Sequence, residues 1–292
     1  MMFKFTNVAI IGRRNSAHLI DQVVQLAASL EDLGCRVYLD SSVTSELECV
    51  GYRCGLISEW VDELDLAIII GGDGTMLAAG RILVDHGIPL VGVNQGRLGF
   101  MTDIASEDMI STIRAMLVQQ EYYAEERTLL AAEVWRGPQK VQQTIALNDI
   151  VISRGTLGSM IEFEMSIDQQ FVHKQKSDGV IFSTPTGSTA YALAAGGPIL
   201  HPHSQVFSIV PICPQSMSNR PIVISDAVQI ELCITTDNNS ILHSDGQEYF
   251  KLEVDDRVII SKARRPLRLL HPLNYSYYHT LRTKLDWSKR VS

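Results

Sequence analysis

Asp73 stands between two glycines in the run AIIIGGDGTMLAAGR at residues 67–81. An apolar strand ending in Gly71-Gly72 lets the backbone turn where a Cβ would clash. Successive N–H groups in such a loop form an anion nest, and a helix opening near Thr75 adds the positive end of its dipole. Phosphate is the expected guest, and a carboxylate that merely lined the cradle would repel it. Two chemical roles fit: Asp73 accepts the proton of an attacking hydroxyl, or it holds a Mg²⁺ that bridges phosphates. The structural alternative is a helix N-cap or turn aspartate.

Two further stretches carry reactive or ligand-contacting types. GVNQGRLGFMTD at 92–103 follows an apolar strand, with Asn94 at its end and Phe100 beside a glycine, where the ring stacks on a ligand or packs in the core. KSDGVIFSTPTGSTAYALAAGG at 176–197 opens with a turn at Asp178-Gly179. It then gathers hydroxyls around Pro185 and Gly187, more than a turn needs, before a small-residue helix. Thr186, Ser188 and Thr189 are candidates to donate to phosphate or ribose, and Tyr191 offers a flat face for a base.

Common catalytic signatures are absent. G-x-G-x-x-G fails at Leu77, and no glycine is followed by lysine, so there is no Walker A loop. H-R-D, G-x-S-x-G and H-E-x-x-H do not occur. His201-Pro202-His203 lacks a neighbouring carboxylate or thiol motif to complete a metal site. His243 either touches ligand or bonds to its own turn. Arg13-Arg14 either meets phosphate at the sheet edge or is solvated, and Glu125-Glu126 reads as a solvated face.

Elements of two kinds must position these groups. Over the first third, short apolar strands (Val8–Ile11, Val37–Leu39, Ala67–Ile70, Pro89–Val93) alternate with helices. One helix runs from Ser16 with Leu19, Val23, Leu26, Leu30 and Leu33 on a stripe and Gly34 as its stop. Others are expected at Ile57–Leu64, Met76–His86 before Gly87, and Glu107–Val118. That alternation predicts a Rossmann-like α/β domain with a parallel sheet. Beyond it the period becomes two: Ile161, Phe163, Met165 and Ile167, then Val228, Ile230, Leu232 and Ile234, then Leu252, Val254, Val258 and Ile260. This predicts a predominantly antiparallel β-sandwich. The domains are placed at 1–125 and 126–275, with the tail 276–292 expected to pack back on the first.

The 292 residues suffice for one large or two medium domains, and the net charge of −8 disfavours sequence-blind nucleic-acid binding. No apolar run approaches the roughly 18 residues of a membrane span, and the first residues carry no signal-peptide pattern. Five scattered cysteines fit reduced cytoplasmic thiols.

GGDGT at 71–75, GVNQGRLGF at 92–100, ALND at 146–149, KSDG at 176–179, TPTGSTAY at 184–191 and DGQ at 245–247 occur in that order. Together they resemble the NAD kinase family, in particular its proteobacterial cytoplasmic members, from about residue 8 into LRTKLDWSK of the tail. GGDG alone is shared with diacylglycerol kinases, sphingosine kinases and phosphofructokinases; the TPTGSTAY segment discriminates far better. The resemblance implies transfer of the γ-phosphate of ATP to the adenosine 2′-hydroxyl of NAD, giving NADP, with Asp73 as proton acceptor. Gly72 and Gly74 would let phosphate approach, and Phe100 would wall the nucleotide pocket. Asn148 and Asp149 would contact ribose or base, Asp178 the nicotinamide end. Thr189, Ala190, Tyr191, Ala192, Leu193 and Ala194 would line the dinucleotide, and Gln247 would close the pocket. Lys176 stands where many relatives have Arg, keeping the charge without the bidentate fork. Asp149 stands where the family has Glu, one methylene shorter, so its contact is expected through water. A divalent cation, Mg²⁺, is implied without a protein ligand set. So are a homodimer or homotetramer whose pockets a neighbouring subunit completes, and a cytoplasmic location without nucleic-acid or membrane partners. Two other readings remain: a lipid or sugar kinase sharing the GGDG loop, and an NAD(P)-binding sensor, which has no need of a base at Asp73.

Overall fold

The computed structural model describes residues 5–12, 17–44, 51–96, 98–155, 159–236 and 239–287. Arg13, Arg14 and Ser16 lie outside them. The chain divides into two units: residues 1–126 with 267–292, and residues 127–266.

The first unit is built on an eight-stranded sheet. Its strands run in the order Arg53–Gly55, Arg36–Asp40, Asn7–Gly12, Leu66–Ile70, Leu90–Asn94, Leu267–Pro272, Tyr122–Arg127, with Ile104–Ala105 also pairing with Leu90–Asn94. The pairs from Arg53–Gly55 through Leu90–Asn94 are parallel. Buried on both faces, the strands Leu66–Ile70 and Leu90–Asn94 are apolar almost throughout rather than alternating, as parallel sheets require. Helix Ala17–Asp32 buries Leu19, Val23, Leu26, Ala27 and Leu30 in the core, and Gly34 follows it in the left-handed region at φ +81°. The stretch expected as a helix at 57–64 is only a 3₁₀ turn, Ile57–Glu59. Eight residues are too few to repay helix nucleation, and the Asp40 carboxylate fixes the first turn by accepting from Ile57 N at 3.0 Å. Ser106–Gln119 is helical in three styles, 3₁₀, α and then a π turn, and stops where Gln120 turns left-handed at φ 57°.

The strand Leu267–Pro272 pairs in parallel with Leu90–Asn94, so residues 267–275 complete the first unit rather than the sandwich to which the sequence assigned them. Its apolar side chains carry no mark of which sheet they will join. The following helix, Tyr277–Lys284, is capped by the Ser276 hydroxyl, which accepts from His279 N, and buries Thr280 and Leu281.

The second unit is two six-stranded sheets. One runs Ile222–Ser225, Val206–Ile212, Gly179–Ser183, Asp149–Arg154, Ser240–Ser244, Glu248–Lys251. The other runs Gln170–Ser177, Ile161–Ile167, Ile230–Ile234, Arg257–Lys262, Leu130–Arg136, Gln139–Ala146. Ile150, Ile152, Val180, Phe182 and Leu242 of the first sheet pack with Ile161, Phe163, Met165, Leu232 and Val258 of the second in one core. That is the period-two dry face realised.

Cys54 is disulfide-bonded, which corrects the expectation of five reduced thiols; Cys35, Cys213 and Cys233 remain thiols. Pairing depends on the path of the connecting loop, and spacing does not encode that path. Among the described residues no helix is long and apolar enough to cross a membrane.

Candidate functional site

Chain order and sheet order together place the glycine loop. From the strand Asn7–Gly12 the sheet grows one way through residues 36–40 and 53–55, and the other way through 66–70 and 90–94. The order reverses between Asn7–Gly12 and Leu66–Ile70, and the loop leaves the carboxyl end of the latter. Open parallel sheets bind ligands at such a switch point.

Helix Asp73–Leu83 starts at Asp73 itself, two residues earlier than the sequence suggested, with Gly72 as N-cap. The Asp73 carboxylate does not cap its own helix. Oδ2 accepts from Phe100 N at 2.9 Å and Oδ1 from Met101 N at 3.0 Å. Gly99 is pressed against this carboxylate, since a Cβ there would collide with Asp73 Oδ1 and Thr102 Oγ1. Two of the roughly four lone-pair directions of a carboxylate are thus used, leaving capacity for a further donor. A Cβ at Gly72 or Gly74 would meet nothing within 4 Å. Neither glycine is demanded by neighbours, so the space beside them stays open to something that approaches the helix N-terminus closely. The Phe100 ring is half-buried and carries the Lys284 ammonium at 5.8 Å from its centroid.

In the second unit the register gathers motifs that are far apart in sequence. Asp149 pairs with Ser183, and Ile150 with Ser244. The segment before Asp149, the turn after Ser183 and the turn after Ser244 therefore meet at one end of three adjacent strands. Asp245 ties them: its carboxylate accepts from Leu147 N (3.0 Å), Asn148 N (2.7 Å) and Asp149 N (3.2 Å). Asp245 and Gly246 turn left-handed at φ 51° and 63°, and Gln247 N closes the turn by donating to Ser244 O at 2.9 Å. A cavity of about 450 Å³ opens here, lined by Asn148, Asp149, Ala190, Tyr191, His243 and Asp245, together with Val151, Ser153 and Gly246. That lies within the roughly 300–1,000 Å³ of small-molecule sites. Asp149, Val151 and Ser153 alternate along the strand, so one face serves the cavity while Ile150 and Ile152 serve the core.

Burial, and then the Asp245 charge, push the Asp149 carboxyl up to about 7. Near neutral pH it is both donor and acceptor towards a ligand. Between about 4, the unfolded value, and 7 the folded protein keeps a proton here that the unfolded chain has released. Stability from this group is therefore fully present below that window and lost as pH rises through it. Melting temperatures from pH 4 to 8 should show Asp149→Asn flattening this decline; an unchanged slope would dissociate it from Asp149. Burial also lowers the His243 pKa, favouring the neutral ring at the cavity wall.

Four hydroxyls of TPTGSTAY make hydrogen bonds within the protein. Thr184 Oγ1 donates to Leu147 O (2.5 Å), Ser188 Oγ to Pro185 O (2.6 Å) and Thr189 Oγ1 to Thr186 O (3.3 Å), while Thr186 Oγ1 accepts from Arg127 (3.3 Å). Ser188 and Thr189 spend their donors on the turn rather than on phosphate, against the sequence reading, whereas Thr186 only accepts and keeps its own proton to give. Tyr191 is 48% exposed and Ala190 is beside it, whereas Ala192 is fully buried against Val151, Ile181 and Val210 and packs rather than lines. Leu193, Ala194 and Gln247 are not among the lining residues. Lys176 faces a different cavity, of about 650 Å³, with Glu162, Lys174 and Gln215. Asp178 sits beyond Ser153 at the far end of the strands, where Arg154 Nε holds its carboxylate at 3.2 Å. Asp245, Val151 and Ser153 were missed in the sequence; the period-two alternation starting at Asp149 was the signal for the last two.

Two family models match in tandem, the ATP-NAD kinase N-terminal domain over residues 8–122 and the ATP-NAD kinase C-terminal domain over residues 147–272. The chain is 44% identical to an NAD kinase of Laribacter hongkongensis over 291 residues, 100% of both chains. It is 46% identical to one of Chromobacterium violaceum, covering 98% of each. Among solved structures, a yeast NADH kinase complexed with NADH superposes with TM-score 0.90 at 23% identity, covering 99% of this chain and 91% of that one. An Archaeoglobus fulgidus NAD kinase in complex with ATP gives 0.74 at 24%, covering 96% and 99%; at these identities the two structures share the fold.

Proposed function

Because this chain belongs to the NAD kinase family, we propose that it transfers the γ-phosphoryl group of ATP to the adenosine 2′-hydroxyl of NAD, giving NADP and ADP. The observation that carries the reading is the tandem match of both kinase domains, joined to 44–46% identity with NAD kinases over nearly the full chain.

The 2′-oxygen attacks the γ-phosphorus in line, the bond to the β–γ bridging oxygen breaks, and Asp73 takes the hydroxyl proton through a lone pair that the Phe100 and Met101 amides leave unused. Those amides fix the carboxylate in one orientation before substrate arrives. The open space at Gly72 and Gly74 admits the phosphates to the helix N-terminus, where N–H groups stabilise charge in the transition state. Asn148, Asp149 and Ala190 contact ribose or base, and the exposed Tyr191 face stacks on a ring. By the family resemblance Asp178 serves the nicotinamide end, and Thr189, Leu193, Ala194 and Gln247 border the dinucleotide outside the 450 Å³ cavity; Lys176, in a separate cavity, is given no role.

Among the described residues no group of three or more His, Cys, Asp or Glu could cage a cation. The residues present do not fit a resident metal. A divalent cation enters with the ATP phosphates as part of the substrate.

ATP-dependent appearance of NADP from purified protein tests the function. NAD, sphingosine and fructose 6-phosphate in a coupled assay separate it from the other GGDG kinases, and NAD binding without NADP formation would indicate a sensor. A cytoplasmic location and a homo-oligomer whose pocket a second subunit completes belong to the same proposal; a fully active monomer by light scattering would overturn the latter.

Gly74→Ala isolates the phosphate approach. The new methyl meets no protein atom, and alanine in a helix is favoured over glycine by up to about 1 kcal/mol, so the melting temperature should hold or rise. KM for ATP should nevertheless increase tenfold or more, about 1.4 kcal/mol. Unchanged KM would mean no phosphate comes near Gly74.

A further inference from the structure

Glu125, expected to be solvated, is 4% exposed and joins a buried cluster in the first unit. His271, 1% exposed, lies between two carboxylates: Nδ1 is 3.1 Å from Asp103 Oδ2 and Nε2 is 3.0 Å from Glu125 Oε2. The imidazole stacks on Tyr275 with centroids 4.1 Å apart and packs at 5.3 Å from Tyr123. A carboxylate only accepts hydrogen bonds and a neutral imidazole has one donor nitrogen, so the cluster as arranged retains one proton more than a neutral ring and two carboxylates would. Charge-assisted bonds of this kind are short, directional and costly to break where no water replaces them.

Asp103 of the cluster stands two residues beyond Met101, in the segment that grips Asp73. Phe100 N and Met101 N donate to the Asp73 carboxylate, Gly99 N donates to Thr102 O at 3.0 Å, and Asn94 Nδ2 donates to Ile104 O at 3.0 Å. Asp103 falls between these attachments. Asn94 holds the segment to the carboxyl end of the interior strand Leu90–Asn94, and His271 holds Asp103 to the strands Leu267–Pro272 and Tyr122–Arg127.

We propose that His271, held between Asp103 and Glu125, is a positioning residue that fixes the segment Gly99–Asp103, and through its Phe100 and Met101 amides the orientation of the Asp73 carboxylate. The effect on turnover rests on the kinase function proposed above; the effect on the segment does not. The imidazole touches no reacting atom. It removes slack from the loop, and slack at Asp73 would misplace the proton acceptor by an ångström-scale error.

The test compares the full-length wild type, Asp103→Ala and Asp103→Asn. In the Asn variant the side-chain amide donates to Nδ1 while Nε2–H donates to Glu125, so the connection survives without the extra proton. Amide hydrogen exchange without ligand should show the Phe100 and Met101 N–H groups exchanging about tenfold faster in Asp103→Ala, with the rest of the sheet protected as in wild type, and near-native rates in Asp103→Asn. In NADP formation Asp103→Ala should lose about 100-fold in kcat with little change in KM, and Asp103→Asn should restore most of it. Where the Ala variant is insoluble, Asp103→Ser removes the reach to the ring without emptying the site. Native exchange rates at Phe100 and Met101 in the Ala or Ser variant would overturn the proposal, as would faster exchange spread evenly over the unit. A wild type that forms no NADP would refute the kinase function while leaving the exchange result to decide the positioning role.

Discussion

Asp73→Asn should bind NAD as wild type does and lose roughly 100- to 10,000-fold in kcat, the range that a positioned proton acceptor contributes. The substitution keeps the size and planarity of the side chain. One of its two polar atoms becomes a donor, however, and both atoms face backbone N–H groups, from Phe100 and Met101. One of those bonds is lost, at a cost of about 1 kcal/mol. Some of the kinetic defect therefore comes from the loop rather than from the missing base. Asp103→Ala loosens the same loop with the carboxylate intact, so the excess of the Asp73→Asn defect over it measures proton acceptance. Steady-state kinetics on both variants, with NAD affinity from direct titration, makes the comparison. Near-normal turnover in Asp73→Asn would take Asp73 out of the chemistry and leave it as a loop clamp.

Gly187→Ala should be the most damaging single methyl in the second unit. A Cβ at residue 187 would collide with the carbonyl O and C of Asn148 and lie 2.6 Å from its Cα. These are backbone atoms of a strand end that cannot swing aside, because Asn148 O accepts from Thr184 N at 2.9 Å and Asn148 N donates to Asp245. Overpacking of this kind costs about 1–3 kcal/mol and sometimes more. Relief requires the turn at 184–191 to lift away from residues 147–149. That move carries Ala190 and Tyr191 away from Asn148 and Asp149, the opposing walls of the cavity. Thermal unfolding should show the loss of stability, and KM for NAD should rise while KM for ATP stays near wild type. A variant with wild-type stability would mean the turn and the strand end are not held in contact.

The sequence by itself determined the two fold classes, the strand and helix faces and the glycine loop, because each is set by local physics. Leu19, Val23, Leu26 and Leu30 recur at helical spacing and are buried on one stripe, and Ile161, Phe163 and Met165 recur at period two and are buried on one face. The Asp73 loop was visible because two flanking glycines leave room that only close approach to backbone explains. What only the tertiary structure decided depends on pairing between distant segments. That the hydroxyls around Gly187 close a turn became evident only with Leu147 and Leu200 as their partners. That the strand at 267–272 completes the first sheet followed from its neighbour Leu90–Asn94. Asp103 and His271 are 168 residues apart and His271 and Glu125 are 146 apart, so no window of sequence contains the cluster. Local sterics and periodicity act over a few residues and are written in order along the chain. Buried polar contacts are satisfied by whichever groups the sheet order brings together, and the chain states that order only once it has folded.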